Sequence, residues 1–435
     1  MIQTIDLRGR RLSTAEYLSI IPRSHTDISV ATEAASALIA DVRARGELAL
    51  LDQAERFDAV RPPRVRVATG EIAEAVARLA PDVRDALEEA IGRVRAGSAA
   101  QVPQSSVTML GDGAEVVQRW SPVARVGLYV PGGKAVYPSS VVMNVVPAQV
   151  AGVASVALAS PPQAAFDGAI HPTILGAAGL LGIDEIYAMG GAGAIGAFAY
   201  GVEGLLDPVQ VITGPGNVYV AAAKRLVRGH AGIDSEAGPT EILVIADGSA
   251  DARLVASDLI SQAEHDELAA GVLVTDSADL AERVQLELAR LAPATHHTER
   301  VRISLTGVQS AVVLVDDLDA AAAFSNAYGP EHLEIQTAEP QALLGAIQNA
   351  GAIFLGENSP VSLGDYLAGS NHVLPTGGQA RFSPGLGAYT FLRPQQVVTY
   401  DRAALSAVRD KVVALARAED LPAHGDAVTA RFTTR

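Results

Sequence analysis

The chain has 435 residues, 49% of them hydrophobic, a formal net charge of −16 and no cysteine. That length predicts two or more domains. The acidic balance argues against nucleic acid and anionic membrane as partners, and the lack of cysteine excludes disulfides, thiolate metal ligation and a thiol nucleophile.

No apolar run reaches the ~18 residues of a membrane span. Met1-Ile2-Gln3-Thr4-Ile5-Asp6 has neither a basic start nor an apolar stretch, so no secretory signal is expected and a reducing cytoplasm is the expected compartment. Lysine is confined to Lys134, Lys224 and Lys411, and arginine carries the remaining positive charge. We read that as base-composition bias before function.

In chain order, residues 26–56 and 71–98 read as helices, with Ala35, Leu38, Ile39 and Val42 at helical spacing. Residues 108–110 and 116–120, around Gly111-Asp112-Gly113, read as a hairpin. A strand at 125–130 leads through Pro131-Gly132-Gly133 to a helix at 139–152. Strands at 153–159, 185–189 and 209–212 then alternate with helices at 172–181, 194–200 and 217–228. A second run starts with a strand at 241–246 and a helix at 249–265. Strands at 271–275, 311–315, 333–336 and 352–355 follow, with helices at 278–292, 318–327 and 340–350. Two such runs predict two doubly wound parallel sheets. After about 380 the pattern weakens, apart from a helix at 400–420.

Chemistry concentrates in four polar islands: Ser261-Gln262-Ala263-Glu264-His265, Gly329-Pro330-Glu331-His332, Asp365 with Asn371-His372, and the stretch from Glu419 to His424. Val255, Leu259 and Gln262 extend one buried helical stripe, and His265 shares its side. An inward Gln–His pair needs partners, and metal ligation would satisfy both; a Gln and a His at a frayed helix end is the plain alternative. Glu331 and His332 point apart if extended, so they serve one site only through a turn. A Glu can activate water and a His can shuttle a proton. The glycine-punctuated segment 360–378 is long enough to be functional.

Two glycine turns bear on a nucleotide. Gly191-Ala192-Gly193-Ala194-Ile195-Gly196 matches G-x-G-x-x-G between strand and helix, but Glu203 and Asp207 come too early for a dinucleotide fingerprint. Thr213-Gly214-Pro215-Gly216-Asn217 joins strand to helix and is suited to an anion, or is simply a tight turn.

Seven segments together resemble histidinol dehydrogenase: Val126-Gly127-Leu128-Tyr129-Val130-Pro131-Gly132-Gly133, Thr213 to Asn217, Ala237-Gly238-Pro239-Thr240-Glu241, Ser261 to His265, Gly329 to Glu334, Gly364 to Asn371-His372-Val373-Leu374-Pro375, and Glu419 to His424. The resemblance covers essentially the full chain. It implies two successive NAD-dependent oxidations, L-histidinol to L-histidinal to L-histidine, the last steps of histidine biosynthesis. It implies zinc held by Gln262, His265, Asp365 and His424, with Glu331 activating water and His332 as the acid/base. Substrate contacts would be Thr240, Gln262, His265, His332, Asp365, Glu419 and His424, with His372 close by. Tyr129 and Asn217 would contact NAD.

The implied fold is two incomplete Rossmann-like domains with a helical N-terminal segment and an extended C-terminal tail. The expected division is an arm at 1–22, a first α/β domain at 23–107 with 236–380, an NAD-contacting domain at 108–235, and a tail at 381–435. The family forms a homodimer in which that tail completes the partner's site. One position departs: Gly193 stands where a Gln contacting NAD is implied. Losing that hydrogen bond is worth on the order of 1 kcal/mol and predicts weaker NAD binding.

The residue inventory fits this reading. Without cysteine, aldehyde oxidation needs water to add directly, and Glu331 beside His332 supplies a base. A zinc-dependent hydrolase and an oxidoreductase for another small polyol are the alternatives. The glycine turns favour a nucleotide cofactor over the first, and Glu419 with His424 favours histidinol over the second.

Overall fold

The computed structural model describes residues 2–10, 12–20, 23, 28–132 and 136–432. The first two residues of the helix expected at 26–56, together with Gly133 and Lys134, lie outside them. β1 (Gln3–Asp6) precedes five helices: α1 (Thr14–Ile20), α2 (Ile28–Arg45), α3 (Glu47–Phe57), α4 (Thr69–Ala77) and α5 (Pro81–Ala100). The two long helices read from sequence are therefore each divided. Gly46, at φ 59°, turns the chain between α2 and α3 in a conformation L side chains rarely adopt. Pro81 opens α5 where a missing N–H leaves no bond unmade.

β2 (Ser106–Gly111) and β3 (Ala114–Pro122) form the expected hairpin. The first βα run is β4 (Arg125–Tyr129), α6 (Pro138–Val150), β5 (Ser155–Ser160), α7 (Pro172–Leu180), β6 (Ile186–Ala188), α8 (Gly191–Tyr200), β7 (Val211–Thr213), α9 (Val218–Val227) and β8 (Gly232–Ile233). Its five strands are parallel in the order β6-β5-β4-β7-β8.

The second run is β9 (Glu241–Ala246), α10 (Ala252–Ala263), β10 (Ala270–Thr275), α11 (Ala278–Leu291), α12 (Thr298–Thr306), β11 (Ala311–Leu314), α13 (Leu318–Tyr328), β12 (His332–Gln336), α14 (Pro340–Leu344), β13 (Ala352–Leu355) and α15 (Val361–Tyr366). Its sheet is also parallel, in the order β1-β11-β10-β9-β12-β13. β1, α12 and α15 are absent from the sequence reading. β14 (Leu392–Tyr400), α16 (Arg402–Ala418) and α17 (Pro422–Thr429) close the chain.

The inner strands of both parallel sheets are buried and, apart from β12 with His332, Glu334 and Gln336, mostly apolar, as expected where helices cover both faces, while the edge strand β1 is largely exposed. The six-stranded sheet has a core on each face, one including Val244, Leu259 and Val284, the other Ile245, Phe324 and Leu333. The core of the five-stranded sheet takes in Ala35, Ile39 and Leu50, so α2 and α3, expected to belong with the 236–380 segment, pack against this sheet. Among the described residues, no helix is long and apolar enough to cross a membrane.

Two compact units result. The larger comprises residues 1–101 and 123–391 and holds both parallel sheets. The smaller comprises 102–122 and 392–435. In it β3 pairs antiparallel with β2 and with β14, and α17 packs on α16, where Gly425 lies against Val413.

Candidate active site

The first concentration of buried polar groups lies where the amino ends of β9 and β12 run side by side, His332 in register with Ile242. Glu331 precedes β12, so strand alternation does not separate it from His332. His332 Nδ1 stands 3.6 Å from Glu331 Oε2, and both residues are buried. Two donors converge on that oxygen: Thr240 Oγ1 at 2.6 Å and the Glu241 N–H at 2.9 Å. Thr240 in turn accepts from Gln262 Nε2 at 2.6 Å. The relay Gln262–Thr240–Glu331 therefore links the end of α10 to β12. Burial pushes the Glu331 carboxyl up to about 7, against the pull of these hydrogen bonds.

His332 Nδ1 lies 3.1 Å from the Glu241 carbonyl oxygen. A carbonyl only accepts, so Nδ1 carries the proton and Nε2 presents a lone pair. That Nε2 is buried and has no partner among the described residues. Burial lowers the His332 pKa and keeps the ring neutral near pH 7.

Beneath the pair, Glu241 is buried against Arg23 at 3.1 Å and the Tyr328 hydroxyl at 3.3 Å. Its desolvation raises its pKa. Neither Glu241 nor Arg23 has a role in the sequence reading, although Glu241 is the one charged residue of an otherwise apolar strand.

His265 follows α10 and is exposed. Its Nδ1 is 3.3 Å from the Ser261 carbonyl oxygen, which leaves Nε2 outward. Gln262 is buried, with its amide nitrogen engaged by Thr240, so its carbonyl end remains to bind. Asp365 lies on α15, partly buried. The charges of His265 and Asp365 both reach Glu331, and both reach His372.

His372 has both ring nitrogens occupied, Nδ1 at 3.0 Å from the Asp365 carbonyl oxygen and Nε2 at 3.1 Å from Ser140 Oγ on α6. Asn371 Nδ2 also donates to Met143 O of α6 at 2.7 Å. The 360–378 segment is thus tied to α6 of the five-stranded half. Among the described residues no group of three or more His, Cys, Asp or Glu stands at metal-holding separation. Of the four expected ligands, one is an amide, Gln262, and one, His424, belongs to the smaller unit. There Glu419 ends α16 and His424 sits in the first turn of α17, both exposed.

The second concentration lies at the carboxyl ends of β4 and β7. Tyr129 is buried, and its hydroxyl accepts from the Gly191 N–H at the start of α8 at 3.1 Å. Burial pushes it up to about 12. Asn217 caps α9, its side-chain oxygen accepting from Tyr219 N at 3.0 Å and Val220 N at 3.2 Å.

Gly214, at φ 119°, lies so close to the Tyr129 carbonyl that no Cβ fits. Its N–H donates to Asp234 at 2.8 Å and its carbonyl accepts from Lys224 Nζ at 2.9 Å. Lys224 and Asp234 form a buried ion pair, so one pair clamps both sides of the turn. The signal for Lys224 is its rarity, one of three lysines in the chain. Gly193 is buried on α8, and the Gln53 amide oxygen occupies the position its Cβ would take.

The family model for histidinol dehydrogenase matches residues 21–432. The chain is 70% identical over 435 residues to a histidinol dehydrogenase of Leifsonia xyli subsp. xyli (strain CTCB07), covering 100% of both chains. It is 58% identical to one of Thermobifida fusca (strain YX), covering 99% of this chain and 98% of that one. The crystal structure of histidinol dehydrogenase from Elizabethkingia anophelis superposes with a TM-score of 0.93 at 31% identity, over 99% of this chain and 98% of that one. The chain belongs to the histidinol dehydrogenase family and is an oxidoreductase.

Proposed function

We propose that this member of the family oxidises L-histidinol through L-histidinal to L-histidine in two NAD-dependent steps, with zinc at the β9/β12 site. The observation that carries the proposal is the pairing of a buried carboxylate of raised pKa with a neutral imidazole whose Nε2 has no partner among the described residues. Each step needs a base, and the two groups divide that work.

His332 Nε2 takes the proton of the carbinol as hydride leaves the carbon. Its Nδ1–H, held by the Glu241 carbonyl, fixes the tautomer that makes this possible. Glu331 acts in the second step, taking a proton from the water that adds to the aldehyde. Thr240 and the Glu241 N–H orient its carboxylate while burial keeps it basic. With no cysteine in the chain, that water adds directly.

The donor set suits zinc: the Gln262 carbonyl, His265 Nε2 and the Asp365 carboxylate are N and O ligands. His265 donates its other ring N–H to a backbone carbonyl, the orientation a ligating imidazole needs. His424 of the partner subunit would complete the set, with Glu419 and the partly buried Thr240 and His372 near the substrate. A homodimer in the cytoplasm belongs to the same proposal. When bound, zinc supplies a positive centre that anchors the imidazole and amino group of histidinol.

NAD would lie along Tyr129, the Thr213-to-Asn217 turn and the start of α8. There the N-termini of α8 and α9 offer N–H groups and positive dipole ends to a pyrophosphate. NAD supplies the hydride acceptor.

The test is NADH formed per L-histidinol consumed, with and without a zinc chelator. Two per substrate, lost on chelation and restored by zinc, is the expected result. One per substrate would remove Glu331 from the role given it. None from metal-loaded protein would overturn the proposal.

A further inference from the structure

Away from the groups used above lies a second pair of carboxylates, the buried Glu334 and the partly buried Asp258. Glu334 is 1% exposed and lies two residues beyond His332, on the same face of β12. Asp258 lies one turn before Gln262 on the same side of α10. Gln336 Nε2 donates to Asp258 Oδ2 and to Glu334 Oε2, each at 2.9 Å. The remaining oxygen, Glu334 Oε1, accepts from the Val361 N–H at 2.9 Å.

Val361 is the first residue of α15, and Asp365 follows on the same helix. One carboxylate therefore ties together the three elements that carry the site: β12 with His332, α10 with Gln262 leading to His265, and α15 with Asp365. α15 has only six residues, too few to hold its own orientation without tertiary contacts. Burial raises the pKa of both carboxylates, and the neighbouring Asp258 charge raises that of Glu334 further. Apolar residues of similar volume stabilise a core at least as well as a buried charged cluster. Stability alone therefore does not account for this one.

We propose that Glu334, supported by Asp258 and Gln336, is a positioning residue that sets Asp365 against Gln262 and His265 and so governs how tightly the chain holds zinc. This rests on the reading that those three residues are ligands. The effect is read as a zinc dissociation constant, by competition with a chelating indicator on full-length protein, beside the melting temperature of the metal-free form. Glu334→Gln keeps an acceptor for Val361 and a donor for Asp258, and should bind zinc within about threefold of the parent. Glu334→Leu removes the link and should bind roughly 10- to 100-fold more weakly, as for other groups that orient metal ligands.

Val361→Pro deletes the N–H at a helix position that tolerates proline and exchanges one buried apolar side chain for another, and should weaken zinc about tenfold. It decides the matter if the leucine variant does not fold. Weaker zinc binding in these two variants, with Glu334→Gln near the parent, supports the proposal. Zinc affinity within threefold of the parent in both overturns it, even if the melting temperature falls. Asp365→Ala is the separate control: if zinc binding survives it, the ligand reading fails and the positioning role fails with it.

Discussion

The two parallel sheets share a strand order and differ in which end carries chemistry. With the edge strand β1 set aside, β11-β10-β9-β12-β13 matches β6-β5-β4-β7-β8: each run starts at its centre, adds two strands on one side and then crosses to the other. In the five-stranded sheet, polar groups gather at the carboxyl ends of β4 and β7, the crevice where doubly wound folds receive ligands. In the six-stranded sheet they gather at the amino ends of β9 and β12. The helix ends explain the contrast. α8 and α9 begin at the first place, presenting N–H groups suited to an anion. α10 and α13 end at the second, presenting carbonyls and negative dipole ends suited to cations. Topology makes both crevices, and helix polarity suits each to a ligand of opposite charge.

The largest expected effect is on the side-chain-built end. Glu331→Gln should slow oxidation of L-histidinal by about 10²- to 10⁴-fold, and oxidation of L-histidinol to the aldehyde much less. Single-turnover rates with each substrate measure this, and equal slowing of both would contradict the assignment. In the parent, the aldehyde rate should fall as pH drops through a value between the ordinary carboxylate range and about 7, where buried Glu331 protonates. Bound zinc would move that limb downward, and the variant should lack it.

On the backbone-built end, Lys224→Met should leave Asp234 buried and unpaired beside Gly214. The expected cost is about 3–5 kcal/mol by chemical denaturation. Where the variant still folds, KM for NAD should rise while KM for L-histidinol stays. A rise confined to histidinol would show that the two ends had been given the wrong ligands.

A third measurement contrasts the ends without a ligand. The folded pKa of Glu331 is raised, so its contribution is complete below the unfolded value near 4.5 and is lost as pH rises through about 7. Metal-free protein should lose on the order of 3 kcal/mol from this group between those values. Glu331→Gln should flatten that part of the stability profile. An unchanged profile would mean that Glu331 titrates like an exposed carboxylate.

How much of this was legible follows from range. The βα alternation and the glycine turns are local, and they place four of the five strands of the first parallel run within a few residues; the two-residue β8 has no such signal. The pairing of β14 with β3, Tyr400 opposite Ala114, joins segments that share no local signal, so the weak pattern after residue 380 hid a strand. Helix ends at Gly46 and Pro81 were written in residue types but masked by continuous apolar spacing. In the site, Glu331 and His332 stood out as charges beside a turn. Glu241 and Glu334 did not, because what they do depends on Arg23, Asp258 and Val361, partners far away along the chain.

Gly193 joins that lesson to the smallest prediction. From sequence, a missing Gln there weakens NAD binding, and restoring it should recover the loss. The fold adds a condition, because the Gln53 side chain fills the space and donates to Leu38 O of α2 at 3.1 Å. Gly193→Gln alone should therefore strain the α3–α8 contact by about 1–3 kcal/mol and leave KM for NAD unimproved. Paired with Gln53→Ala, it has room to turn toward the cofactor, and KM for NAD should fall about fivefold, on the order of 1 kcal/mol. If KM for NAD does not move in the double variant, residue 193 has no part in the cofactor site, and the carboxyl-end crevice works through its backbone turns alone.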